Sequence, residues 1–195
     1  MSKKNDNRKN IVIVGGGAGG STLARSLSKT LDASKYNLVV IDPRESLILS
    51  PATIRLPVAN PIGLEEKVFV PLKDIFINNN GTFHQGKVVS IVPGDKGGEV
   101  ILENGDRFPY DTLVLSPGSV WYGSFAGGTD PAQVRAGWAA DRERVKAAQN
   151  IVLVGAGAVG LGTSGQTLSG SSVSNLNCTR SSELAGEIKS EYPVC

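Results

Sequence analysis

The chain is poor in the residues that most often carry metal, thiol or acid-base chemistry: two cysteines, one histidine and one methionine in 195 residues. Cys178 and Cys195 both sit near the C-terminal end without a CxxC spacing, so no disulfide framework is expected. His84 stands alone in an alternating segment, with no Cys, His or carboxylate cluster beside it. That excludes a metal site and a Ser-His-Asp arrangement. Charge of one sign is also lacking: 20 basic against 18 acidic residues leave a net +2, which is no electrostatic footprint for nucleic acid. No apolar run approaches the ~20 residues of a membrane span. The opening MSKKNDNRKN has no apolar h-region, and Ser2 stands where myristoylation needs glycine, so a cytoplasmic location is expected. Lys3, Lys4, Arg8 and Lys9 read as a polar, solubilising tail over residues 1–10, leaving peripheral membrane contact open.

What the chain has is glycine, 24 of 195 residues, well above the usual ~7%. With 40% hydrophobic residues it can still bury a core. The glycines concentrate in two places. Ile11 to Val14 form a β-branched run that ends in GGGAGG, followed by STLARSLSKTL with Ala24, Leu27 and Leu31 on one helical face. YNLVVID (Tyr36 to Asp42) is a second buried strand, closed by Pro43. Gly15, Gly17 and Gly20 therefore satisfy G-x-G-x-x-G between a strand and a helix. Asp42 follows 22 residues after Gly20, at the distance of a ribose-binding acid. In such a turn the first glycine permits the bend, the second lets a pyrophosphate approach, and the third lets helix and strand pack closely.

Between the two glycine clusters, Pro51 to Asn80 is proline-punctuated with a short helix expected at PLKDIF. Phe83 to Phe108 alternates apolar and polar residues around turn signals and predicts an antiparallel meander. TLVLSPGS (Thr112 to Ser119) is a further strand, and Pro131 to Ala148 a helix. IVLVGAGAVG (Ile151 to Gly160) then repeats the opening device, with Gly155, Gly157 and Gly160 at the same spacing. Two such units suggest two dinucleotides, one feeding electrons to the other.

IVIVGGGAGG, VVIDPRE, PATIR, PLKDIF, FHQGKVVSI, YDTLVLSPGS and ELAGEIKSEYP together resemble the two-dinucleotide FAD and NAD(P)H oxidoreductases, and within them the apoptosis-inducing-factor-like group that includes ferroptosis-suppressor quinone reductases. The resemblance implies an α/β, Rossmann-like three-layer (ββα) fold. It also implies FAD on the first fingerprint: Gly15, Gly17, Ala18 and Gly20 at the pyrophosphate, Asp42 at the adenosine ribose, Arg55 near the flavin, and Val88 pairing with adenine through its backbone. Gly118 closes Ser116 to Gly118, where the family usually has Ala-Thr-Gly. Gly155, Gly157 and Gly160 would take NADH or NADPH, and Glu183 matches a family glutamate near the nicotinamide. No catalytic residue is assigned. Disulfide reductases of the superfamily carry a CxxxxC pair after the first unit, but residues 43–81 contain no cysteine. The implied route is hydride from NAD(P)H to FAD and on to an external acceptor such as a quinone.

Two departures qualify this. Residues 162–182, rich in Ser, Thr, Gly and Asn, interrupt the helix expected after Leu161; without them Leu161, Ala185, Ile188 and Tyr192 fall on one helical face. The segment reads as an insert, either a translated in-frame intron or a serine-rich loop. The expected organisation is thus a partial FAD-binding domain over 11–148 and the start of a NAD(P)H-binding domain over 151–195, incomplete at the C-terminus, and a member so truncated is expected to be inactive alone. The competing expectation is a non-enzymatic flavin- or nucleotide-binding fragment from a mis-spliced or truncated gene.

Overall fold

The computed structural model describes residues 7–60, 63–119, 128–148, 150–154, 157, 159–160 and 175–179. In chain order the first elements are β1 (Lys9–Val14), α1 (Ala18–Thr30), β2 (Tyr36–Asp42), β3 (Ser46–Ile48), α2 (Ser50–Thr53), α3 (Leu64–Lys67) and β4 (Phe69–Pro71). Two 3-10 turns, Leu72–Asp74 and Ile77–Asn79, lead into β5 (Thr82–Gln85), β6 (Val88–Gly94), β7 (Gly97–Leu102), β8 (Arg107–Tyr110) and β9 (Thr112–Leu115). The rest comprises α4 (Pro131–Ala147), β10 (Asn150–Val154) and β11 (Asn175–Thr179). These fall into two compact units, Met1–Ile48 with Phe69–Val120, and Leu49–Val68 with Trp121–Cys195.

The first unit is organised by β1 and β2, whose near-continuous apolar sequences suit strands covered on both faces. They pair in parallel, Ile11 opposite Leu38 and Val14 opposite Ile41, within a sheet of order β5-β2-β1-β9. Because side chains alternate along a strand, each strand feeds two cores. Ile11, Ile13, Leu38 and Val40 pack with Ala24 of α1 and with Leu72 and Ile75, while Leu23, Leu27 and Leu31 close that side. Val12, Val39 and Ile41 pack with Val100 and Leu102 of the antiparallel β6-β7-β8 sheet. Helix, parallel sheet and antiparallel sheet thus form the three layers of the ββα arrangement.

The helix expected at PLKDIF is a single 3-10 turn, Leu72–Asp74. The meander also differs from expectation at its first strand. Thr82–Gln85 pairs in parallel with β2, Val39 opposite Thr82 and Asp42 opposite Gln85, and only β6, β7 and β8 are antiparallel. Gly86 separates the two sheets: its N–H donates to the Asp42 carbonyl at 3.0 Å, and an added Cβ would come within 2.6 Å of Leu102 Cδ1. An alternating pattern specifies which face is buried but not the direction of the partner strand. The C-terminal end of α1 is held by Asn80, whose amide donates to the carbonyls of Ser28 and Leu31 at 3.1 and 2.8 Å. Ser28, buried beneath it, accepts from the Ile77 N–H at 2.9 Å.

In the second unit α4 starts as its sequence dictates, with Pro131 in the first turn and Asp130 capping the Ala132 N–H at 2.8 Å. Val134 and Trp138 form its buried face. Arg142 donates to the Leu56 carbonyl at 2.7 Å and makes a 2.7 Å charge contact with Glu65 that lacks hydrogen-bond alignment. β10 pairs in parallel with β11, Asn150 opposite Asn175 and Val154 opposite Thr179. β11 lies inside 162–182, where composition assigns no element; its NLNCT alternation is compatible with a strand.

Candidate nucleotide-binding site

The chain leaves β1 through Gly15, whose N–H donates to the Ile41 carbonyl at 2.8 Å and whose φ is +103°. An L-residue rarely adopts that conformation, and an added Cβ would overlap the Ser116 carbonyl oxygen. Gly20, one turn into α1, is pressed equally hard: its Cβ would overlap the Gly15 carbonyl oxygen and lie 2.6 Å from Ser116 Oγ. Ser116, just beyond β9, ties the crossing together. Its N–H donates to the Val14 carbonyl at 2.8 Å, and its hydroxyl donates to the carbonyls of Val14 and Gly15 at 3.2 and 2.9 Å. Leu72 backs the loop, so that a Cβ on Gly16 would meet its Cδ1 at 2.7 Å.

Gly17 and Gly19 face the other way. A Cβ at Gly17 would find only the Arg44 guanidinium, at 3.8 Å, and one at Gly19 would meet nothing within 4 Å. Gly17 is the N-cap of α1, with no side chain capping the helix and no acid in its first turn. Helix N–H groups and the positive end of the dipole are therefore available on the side where the loop is open.

Asp42, at the C-terminal end of β2 and only 2% exposed, stands beside this loop. Its Oδ2 accepts from the Gly16 N–H at 2.7 Å and from an Arg44 guanidinium N–H at 3.1 Å. Its Oδ1 accepts from the Arg44 backbone N–H at 2.8 Å and from Arg44 Nε at 3.0 Å. Hydrogen bonding to Asp42 raises the Arg44 guanidinium above its already high range, so this residue is permanently charged. An open glycine turn, an uncapped helix start and a strand-end acid fit a nucleotide pyrophosphate with its adjoining ribose.

The structure therefore brings together Gly15, Gly17, Ala18, Gly20 and Asp42, with Ser116 and Gly118 on the strand end alongside. Gly118 is exposed with φ +73°, a conformation suited to glycine. Val88 opens β6 opposite Leu102 and packs on the Val12, Val39 and Ile41 cluster, two residues after the Gly86 bond to Asp42. Arg55 belongs to the second unit, where its side chain is exposed and its carbonyl accepts from the N–H groups of Val58 and Ala59. Of the second fingerprint, Gly157 is exposed and Gly160 partly buried, while Gly155 lies outside the described residues, as does Glu183. Among the described residues no three His, Cys, Asp or Glu side chains converge as metal ligands, and no helix is long and apolar enough to cross a membrane. Sequence reasoning missed Arg44 and Ser116. Only Ser116 left a signal, in serine standing where the related motif has alanine.

A βαβ unit with a glycine turn, layered against an antiparallel sheet, defines a Rossmann-type fold. The chain belongs to the pyridine nucleotide-disulphide oxidoreductase family, whose profile matches residues 9–180. It is 40% identical over 103 residues to the FAD-dependent oxidoreductase FVFD30 of Flammulina velutipes, a match covering 53% of this chain and 32% of that protein. It is 30% identical over 190 residues to ferroptosis suppressor protein 1 of Taeniopygia guttata, covering 96% of this chain and 42% of that protein. The chain thus spans less than half the length of either relative. The fold is similar to that of the sulfide:quinone oxidoreductase of Aquifex aeolicus, with a TM-score of 0.57 and 23% identity over 74% of this chain and 34% of that one.

Proposed function

We propose that this chain carries the FAD-binding part of an FAD-dependent NAD(P)H oxidoreductase whose acceptor is an external, quinone-class molecule. The observation that carries the reading is the Gly15-to-Gly20 turn, open at Gly17 and Gly19 and flanked by the buried acid Asp42. Bound there, FAD would supply the redox chemistry, taking hydride from NADH or NADPH and passing electrons onward. The chain's own residues position it: the α1 N-terminus meets the pyrophosphate, Gly15 and Gly20 keep the turn tight, and Asp42 faces the adenosine ribose. Gly155, Gly157 and Gly160 are assigned to the nicotinamide cofactor by their repeated spacing. The absence of cysteine between residues 43 and 81 favours an external acceptor over a dithiol relay. Cytoplasmic placement is part of the same reading.

A second reading, a flavin-binding chain without turnover of its own, is favoured by the Ser-, Thr-, Gly- and Asn-rich residues 162–182, which interrupt the sequence that follows the second glycine fingerprint. Purifying the 195-residue chain with FAD separates the two. Flavin absorbance that co-elutes with the protein is expected on either reading. NADH oxidation with a soluble benzoquinone supports the first, and a yellow but inert protein supports the second. A colourless, folded protein overturns both.

A further inference from the structure

A carboxylate offers two oxygens and about four lone-pair directions. In Asp42 all four are taken, and Arg44 supplies three of the donors: its backbone N–H, Nε and a terminal guanidinium nitrogen, at 2.8, 3.0 and 3.1 Å. Gly16 N–H supplies the fourth at 2.7 Å. A ribose hydroxyl that donates to Asp42 has to replace one of these donors. The backbone ones are fixed by the loop and by the strand end, which leaves the two from the guanidinium. That group is paired in bidentate geometry with a partner only 3% exposed, the strong form of the interaction.

We propose that Arg44 sets the ribose specificity of this nucleotide site by competing with the ribose hydroxyls for Asp42, so that they contribute little to affinity. This rests on the proposed flavin reading of the same site. The Arg44 guanidinium also borders the open side of the loop, 3.8 Å from where a Cβ on Gly17 would lie, which places its positive charge beside the pyrophosphate position. Arg44 therefore trades ribose recognition for attraction to the phosphates. A shorter or neutral side chain should reverse the trade.

The test is nucleotide binding by the full chain, with ADP and 2′,3′-dideoxy-ADP as probes. The two differ only in the ribose hydroxyls. In the wild type their dissociation constants should lie within about twofold of one another. In Arg44→Ala, ADP should bind more weakly than in the wild type yet be preferred over the dideoxy analogue by about tenfold, the worth of one restored hydrogen bond to a carboxylate. Arg44→Gln, which preserves most of the side-chain length and at most one donor to Asp42, should fall between and carries the test if the alanine variant does not fold. An unchanged ratio in variants that bind ADP overturns the competition while leaving the flavin reading intact, and so does a tenfold preference already present in the wild type. If the folded wild type binds neither ADP nor FAD, the flavin reading fails and takes this inference with it.

Discussion

Gly20→Ala should lower the melting temperature of the chain by several degrees. Two effects oppose each other at this position. Alanine is the better helix former by about 1 kcal/mol, which favours the substitution. Against that, the new methyl would overlap the Gly15 carbonyl oxygen and lie 2.6 Å from Ser116 Oγ, and the carbonyl belongs to a backbone held at φ +103°. Flexible side chains can yield, but this one obstacle is main chain pinned by the Ser116 hydroxyl. Separating α1 from β1 to relieve it would open the core around Ile13 and Ala24. Overpacking of that kind costs about 1–3 kcal/mol or more, so the steric term wins. Gly19→Ala is the internal control: its Cβ meets nothing within 4 Å, and stability should hold or rise. Thermal unfolding followed by circular dichroism measures both, and equal melting points for the two variants would show that the turn is looser than described.

Asp42→Ala should be at least as damaging, by about 2–4 kcal/mol in urea unfolding. The substitution strips the acceptor from a buried N–H, that of Gly16, and leaves the Arg44 guanidinium without its counter-ion. The Arg44 side chain is 27% exposed, so water recovers part of its solvation and the loss stays below that of a fully buried pair. Asp42→Asn keeps one acceptor oxygen and nearly the same volume, but its NH2 must face the other two N–H donors and the Arg44 charge loses its partner, so it too should lose stability. A loss below about 0.5 kcal/mol for Asp42→Ala would mean that the Gly16 and Arg44 bonds contribute nothing net.

The site was legible where backbone geometry dictates residue type. Gly15 and Gly20 are required by conformation and close approach, so their spacing in the sequence is a direct record of the turn. β1 and β2 declared themselves as buried strands through their apolar runs, and α4 was expected from Pro131 onward. What the letters did not distinguish is which glycines face inward. Gly17 and Gly20 look alike in the motif, yet one borders open space and the other a carbonyl. Nor did they reveal that the ribose-facing acid has its lone pairs filled, since Arg44 reads in sequence as one more surface charge after a strand. The partner of Thr82–Gln85 was misjudged for a related reason. Burial alternates identically in parallel and antiparallel strands, and only the Gly86 break, resolved in three dimensions, parts β5 from the meander.

The central claim is that the open side of the first glycine turn receives the flavin nucleotide, and Gly17→Val tests it most directly. Gly17 has φ −64° and ψ −169°, which valine adopts readily, and its Cβ site is free apart from the Arg44 guanidinium. Weaker N-capping should cost only about 1 kcal/mol. FAD titrated into the two proteins, followed by flavin fluorescence, should saturate the wild type and bind the folded variant at least tenfold more weakly. Equal affinity in both would place the flavin somewhere other than this turn and contradict the account.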